Sequence, residues 1–203
     1  MSEPYKATYV ILDAARMDEK IESSFQKNRD HLCMFSGKGE EYLKSVSPYL
    51  FSFPAESEFS KFIIEEGIGN SWGVFLHSRN SFSEIFKHLQ NLLVVKTADG
   101  KEMYFRFYDP RVLRVFLPVA YKEQLKEFFG PIEYFICEDE DPEFMLIFSL
   151  VNGSLEIKKE ITKRYFNIQQ ASFATTPPPT STPEIKEFKN SRKWSFLVDD
   201  EEA

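Results

Sequence analysis

Two carboxylates invite a chemical reading before anything else in this 203-residue chain. Asp13 and Asp109 each close a stretch that reads as a β-strand, and strand ends are where α/β enzymes place catalytic groups. Such a pair could act as acid and base, or hold a magnesium ion, in a small metal-dependent hydrolase. The companions that such chemistry needs are missing from the sequence. There is no G-x-S-x-G elbow, no phosphate-binding glycine loop, no H-E-x-x-H and no C-x-x-C. His31, His77 and His88 are far apart in sequence. Cys33 and Cys137 each sit inside an apolar segment and read as buried free thiols of a reducing compartment. Both aspartates also have a simpler use. Asp109 precedes Pro110, the arrangement that opens a turn or helix, and Asp13 before Ala14-Ala15 is placed to cap a helix. This structural reading is favoured, so no catalytic residue, metal site or cofactor is expected. The acidic run Glu138-Asp139-Glu140-Asp141 reads as a solvated loop, since a calcium site would want spaced oxygens and a glycine.

The elements that position these residues follow from periodicity. Thr8 to Leu12 is a β-branched and aromatic run, read as the first strand. Met17, Ile21 and Phe25 then recur at helical spacing. His31 to Phe35 and Ser47 to Phe53 read as extended, the latter with Pro48 marking an edge or a strand start. Phe59, Phe62 and Ile63 give a helical stripe, and Trp72 to Leu76 another strand. Ser81 with Glu84 is a capping-box pattern ahead of Phe82, Ile85, Phe86 and Leu89 on one helix face. Leu92 to Lys96 and Glu102 to Tyr108 flank Asp99-Gly100, a hairpin signal. Tyr121, Leu125, Phe128 and Phe129 predict a helix stopped by Gly130-Pro131. Strands are expected over 132–137, 144–150 and 155–158, with Asn152-Gly153 turning the last pair. The fold class expected is therefore α+β or α/β: a mixed β-sheet flanked by about four helices, with a strand-rich C-terminal third. The organisation reads as an α/β core over 1–133, a strand-rich lobe over 134–174, a proline-rich linker over 175–183 and an acidic tail over 184–203.

Composition narrows the function classes. Hydrophobic residues make up 42% and charged residues 28%, enough to bury a core, and 21 of the residues are Phe, a surplus suited to partner surfaces as well as to packing. A net charge of −7 with scattered Lys and Arg argues against nucleic acid as a partner. With no long apolar run and a polar N-terminus, a cytoplasmic protein without membrane association is expected.

One segment carries a resemblance. Leu92-Leu93-Val94-Val95-Lys96, Asp99-Gly100, and then Tyr104-Phe105-Arg106-Phe107-Tyr108-Asp109-Pro110-Arg111-Val112-Leu113 resemble the signature of the type VI secretion effector adaptors. Genes of this family are often found between those of a VgrG spike and a toxin. Tyr9 to Ala15, Ser47-Pro48-Tyr49-Leu50, Trp72 to Leu76, Ser81 to Leu93, Leu117-Pro118 and Gln124 to Ile132 are similar to other family segments in the same order, from about residue 8 to residue 133. Ala14-Ala15 departs from the pattern, standing where a glycine-containing pair is common.

The resemblance implies a non-catalytic adaptor, or chaperone, whose partners are an effector protein (a toxin) and the VgrG spike. Asp13, Arg106, Phe107, Tyr108, Asp109, Pro110 and Arg111 are then family-motif residues. Arg106 can pair with Asp109 or Asp13 to cap strand ends, or join Arg111 in presenting a fork to a partner's carboxylate. Arg106, Arg111, Phe144, Trp194 and Phe196 are the candidate partner-binding residues, and the Trp194 cluster is expected to pack on the domain or on cargo. An immunity protein that neutralises the toxin stays open beside the adaptor and the hydrolase.

Overall fold

The computed structural model describes residues 7–35, 45–54, 56–96 and 100–166, together with the backbone of Trp194–Ser195. Its frame is a seven-stranded sheet built from β1 (Tyr9–Asp13), β2 (His31–Cys33), β3 (Pro48–Ser52), β4 (Gly73–His77), β7 (Tyr134–Glu138), β8 (Phe144–Val151) and β9 (Ser154–Ile161). The strand order is β2-β3-β1-β4-β7-β8-β9, with every pair antiparallel. A small sheet has the order β10-β5-β6, from Trp194–Ser195, Val94–Lys96 and Glu102–Tyr104, and parallel pairing is confined there to β5 and β10. The class is α+β; in the strand-rich C-terminal third, β7 pairs with β4, and β8 and β9 extend the main sheet through two successive hairpins.

Alternation along β1 explains the layering. Tyr9 and Ile11 point into one apolar core, Val10 and Leu12 into the other, and all four are buried. The first core is covered by α4 (Phe82–Leu92), α5 (Pro110–Val119) and α6 (Lys122–Phe129). The second is covered by α1 (Ala14–Met17), α2 (Lys20–Lys27), α3 (Glu58–Phe62) with its continuation as a π turn (Ile63–Gly67), and a short helix at 162–166. The spacing of Met17, Ile21 and Phe25 is helical as expected, but the chain breaks at Asp18 (φ 49°), giving α1 and α2.

Local signals account for most boundaries. The capping box of α4 is formed: the Ser81 N–H donates to Glu84 Oε2 at 3.0 Å and the Glu84 N–H to Ser81 Oγ at 3.4 Å. Its face Phe82, Ile85, Phe86, Leu89 and Leu92 is buried. Pro48 stands first in β3, where its missing N–H is tolerated. Gly73 is required by close approach, since a Cβ there would lie 1.9 Å from the Ile11 carbonyl oxygen. Asn152 (φ 52°) and Gly153 (φ 76°) make the tight turn between β8 and β9.

One expected strand is shorter than its pattern. The run Glu102 to Tyr108 is extended only to Tyr104. Phe107 and Tyr108, adjacent in sequence, are both buried, which period-two alternation forbids within a half-buried strand. The chain turns instead, with the Asp109 N–H donating to the Arg106 carbonyl at 3.0 Å, and enters α5. The proline-rich linker and the acidic tail, Phe196 included, lie outside the described residues apart from the backbone of Trp194–Ser195.

Candidate functional site

The motif residues meet at one end of the main sheet. Registers Leu12↔Gly73 and Phe75↔Ile136 bring the C-terminal end of β1, the start of β4 and the end of β7 into one row, and α5 begins above them. Asp13 closes β1 and is 1% exposed. One of its oxygens accepts the Ala15 N–H at 3.2 Å, capping α1, and the other is ion-paired with Arg106 Nη2. Of the two partners that the sequence offers Arg106, the structure selects Asp13. The guanidinium also lies over the Tyr108 ring, 5.9 Å from its centroid.

Asp109 is the second anchor. It is the N-cap of α5 with Pro110 at the first helical position. Asp109 Oδ1 accepts the Arg111 N–H and Arg111 Nε, both at 3.0 Å, and Oδ2 accepts Arg111 Nη2 at 2.6 Å. This is a bidentate fork closed on a buried carboxylate. The side chains of Arg106 and Arg111 remain 47% and 53% exposed. Each arginine is thus held by a buried acid and keeps about half of its side-chain surface exposed.

Charge follows the geometry. Burial works against ionisation of Asp109, but the hydrogen bonds and charge of Arg111 outweigh it and hold the carboxyl below its usual range. Burial likewise opposes the Arg106 cation, yet the Asp13 hydrogen bond and charge leave its pKa raised. Burial, then the Asp13 charge, pushes the Tyr108 phenol up to about 12. Both aspartates are therefore engaged by backbone N–H groups and arginines, the arrangement that counts against Asp13 and Asp109 as a free acid–base pair or magnesium site. Among the described residues no group of three or more His, Cys, Asp or Glu side chains is placed to hold a metal ion.

Glu138 is the residue that sequence reasoning undervalued. It stands in the acidic run read as solvated, yet it is buried. Its carboxylate accepts the Gly69 N–H at 2.6 Å, the Ser71 N–H at 2.9 Å and the Ser71 hydroxyl at 2.7 Å. Its carbonyl accepts Arg114 Nη1 at 2.7 Å, so α5 is tied to the end of β7. Arg16 Nη2 donates to the Asn70 carbonyl at 3.1 Å, fastening the same turn to α1. Asp139 pairs with Lys159, whose Nζ also sits 4.2 Å from the centre of the Phe144 ring.

Of the remaining candidates, Phe107, Tyr108 and Pro110 are buried in or beside the first core. Phe144 is half-buried at the start of β8, on the same end of the sheet. Trp194 enters through its backbone, in β10. Cys33 and Cys137 are free thiols, half-buried and buried.

Residues 8–127 match the family described as a domain of unknown function, DUF4123. That is more than half of the chain. The chain belongs to this family. The DUF4123 match encloses Asp13, the whole Arg106–Arg111 segment and the helix it opens, and stops short of Glu138 and the β7–β9 hairpins. No curated protein and no solved structure matches the chain. No helix among the described residues is long and apolar enough to cross a membrane.

Proposed function

We propose that this DUF4123 protein is an adaptor of a type VI secretion system, which binds a cognate effector and loads it onto the VgrG spike without catalysing a reaction. The observation that carries the reading is the state of the family motif. Its two carboxylates are committed to helix caps and arginine pairs, while Arg106 and Arg111 keep half of their surface exposed. A site built for acid–base chemistry would leave a carboxylate open to substrate. This one spends both acids on holding two guanidiniums at a surface, where planar donors recognise protein carboxylates.

A second observation supports a binding role. Helix α5, which the motif opens, leaves Val115 and Val119 largely exposed one turn apart. Large apolar side chains that a helix keeps outside its own core suit a protein interface. A structural role for Asp109 and Pro110 and a partner-facing role for Arg106 and Arg111 are then compatible: the acids position and the arginines contact.

The test is co-expression with the products of the genes flanking this one, followed by affinity and size-exclusion chromatography. The adaptor reading expects a complex with the toxin, with the spike protein, or with both. Co-elution with neither would overturn it.

A further inference from the structure

The small sheet is completed by a segment remote in sequence. On one side β5 pairs antiparallel with β6, Val94↔Tyr104 to Lys96↔Glu102. On the other it pairs parallel with β10, Trp194↔Val95 and Ser195↔Lys96. Twenty-seven residues, 167–193, separate β10 from the last helix of the domain. Without β10 the outer edge of β5 would offer its N–H and C=O groups to any extended chain. A two-residue parallel ladder adds few hydrogen bonds, each contributing a net of about 0.5–1.5 kcal/mol. Such a ladder depends on covalent attachment, because tethering presents the segment at an effective concentration of up to about the millimolar range.

We infer that the outer edge of β5 is a strand-acceptor site, filled by this chain's own C-terminal segment around Trp194–Ser195 and open to exchange for an extended segment of the same chemistry from another polypeptide. The ligand class is set by what fills the site. In sequence, the ladder residues Trp194 and Ser195 are followed by Phe196, Leu197 and Val198 and then by Asp199, Asp200, Glu201 and Glu202. The parallel register runs β10 toward the β5–β6 turn, which carries Lys96 and Lys101. A ligand of extended apolar residues followed by carboxylates suits an acceptor edge that runs toward cations in this direction. Main-chain pairing supplies affinity, and alternate side chains supply selectivity, as in other strand-addition interfaces.

The probe is a fluorescein-labelled synthetic peptide of residues 190–203, titrated by anisotropy into the full-length chain and into full-length Ser195→Pro. Proline is disfavoured inside a ladder, so the substitution at the second paired residue opposes the internal pairing. The variant is expected to bind the peptide at least about tenfold more tightly than the wild type, whose site is already filled. Amide exchange at 94–96 should quicken in the variant and slow again with excess peptide. Equal affinity for both chains, no binding to the variant, or unchanged exchange at 94–96 would overturn the inference. None of these outcomes bears on the co-elution with toxin or spike.

Discussion

Replacing Arg106 by Gln removes the cation opposite Asp13 while keeping much of the side chain's length. The structure sets the size of the effect. Asp13 is buried, and its remaining side-chain hydrogen bond among the described residues is from the Ala15 N–H at 3.2 Å. A hydrogen bond to a charged group contributes about 1.5–3 kcal/mol, and stripping one partner from a fully buried pair costs about 3–5 kcal/mol. Arg106 is half-exposed, so water can partly replace it and the lower range applies. The expected loss is about 2 kcal/mol. With a urea slope of about 2 kcal/mol/M, the midpoint should fall by about 1 M. A double-mutant cycle with Asp13→Asn isolates the pair, and a coupling of at least about 1 kcal/mol is expected. A destabilisation below about 0.5 kcal/mol, with coupling near zero, would refute the claim that Asp13 anchors Arg106.

Three further outcomes follow from the same end of the sheet. Asp109 is held below its usual range, so its stabilisation is fully present above the unfolded value of about 3.9 and is lost as pH falls through the folded value; Asp109→Asn should flatten the urea midpoint against pH below about 5. An acid limb as steep as the wild type's would contradict this. Glu138→Gln should destabilise by about 1–3 kcal/mol and speed amide exchange at Gly69 and Ser71 above other loop amides; unaltered exchange there would show that the carboxylate is not the clamp. Gly73→Ala drives a Cβ against the β1 backbone and should cost about 3 kcal/mol or more, read as a collapse of the thermal midpoint.

Legibility in the sequence tracked how local each cause was. The capping box at Ser81 and Glu84, the Asp109-Pro110 helix start and the Asn152-Gly153 turn each rest on neighbours within a few residues, and each stands in the structure. Tyr104 to Tyr108 misled because its aromatic alternation imitates a strand, while Phe107 packs on α6, its ring centroid 5.7 Å from that of Phe128, and Tyr108 is buried beside Phe107. The strand order could not be read, since Pro48 opposite Asp13 and Ile136 opposite Phe75 are long-range pairings that no periodicity encodes. Glu138 was hidden for the same reason: its donors, Gly69 and Ser71, lie nearly seventy residues upstream. The one available signal was its position at a strand end ahead of the other three acids. Both partners of each motif ion pair were visible as residue types, but the choice of Asp13 for Arg106 needed the fold.

The adaptor claim is tested most directly by deleting this gene in its host and following the products of the flanking genes, with the toxin among them. An adaptor predicts that the toxin is still synthesised but no longer reaches the medium under firing conditions, and that plasmid-borne wild-type chain restores its export. Unchanged export would contradict the account, as would death of the deleted strain from its own toxin, the result that an immunity protein would produce.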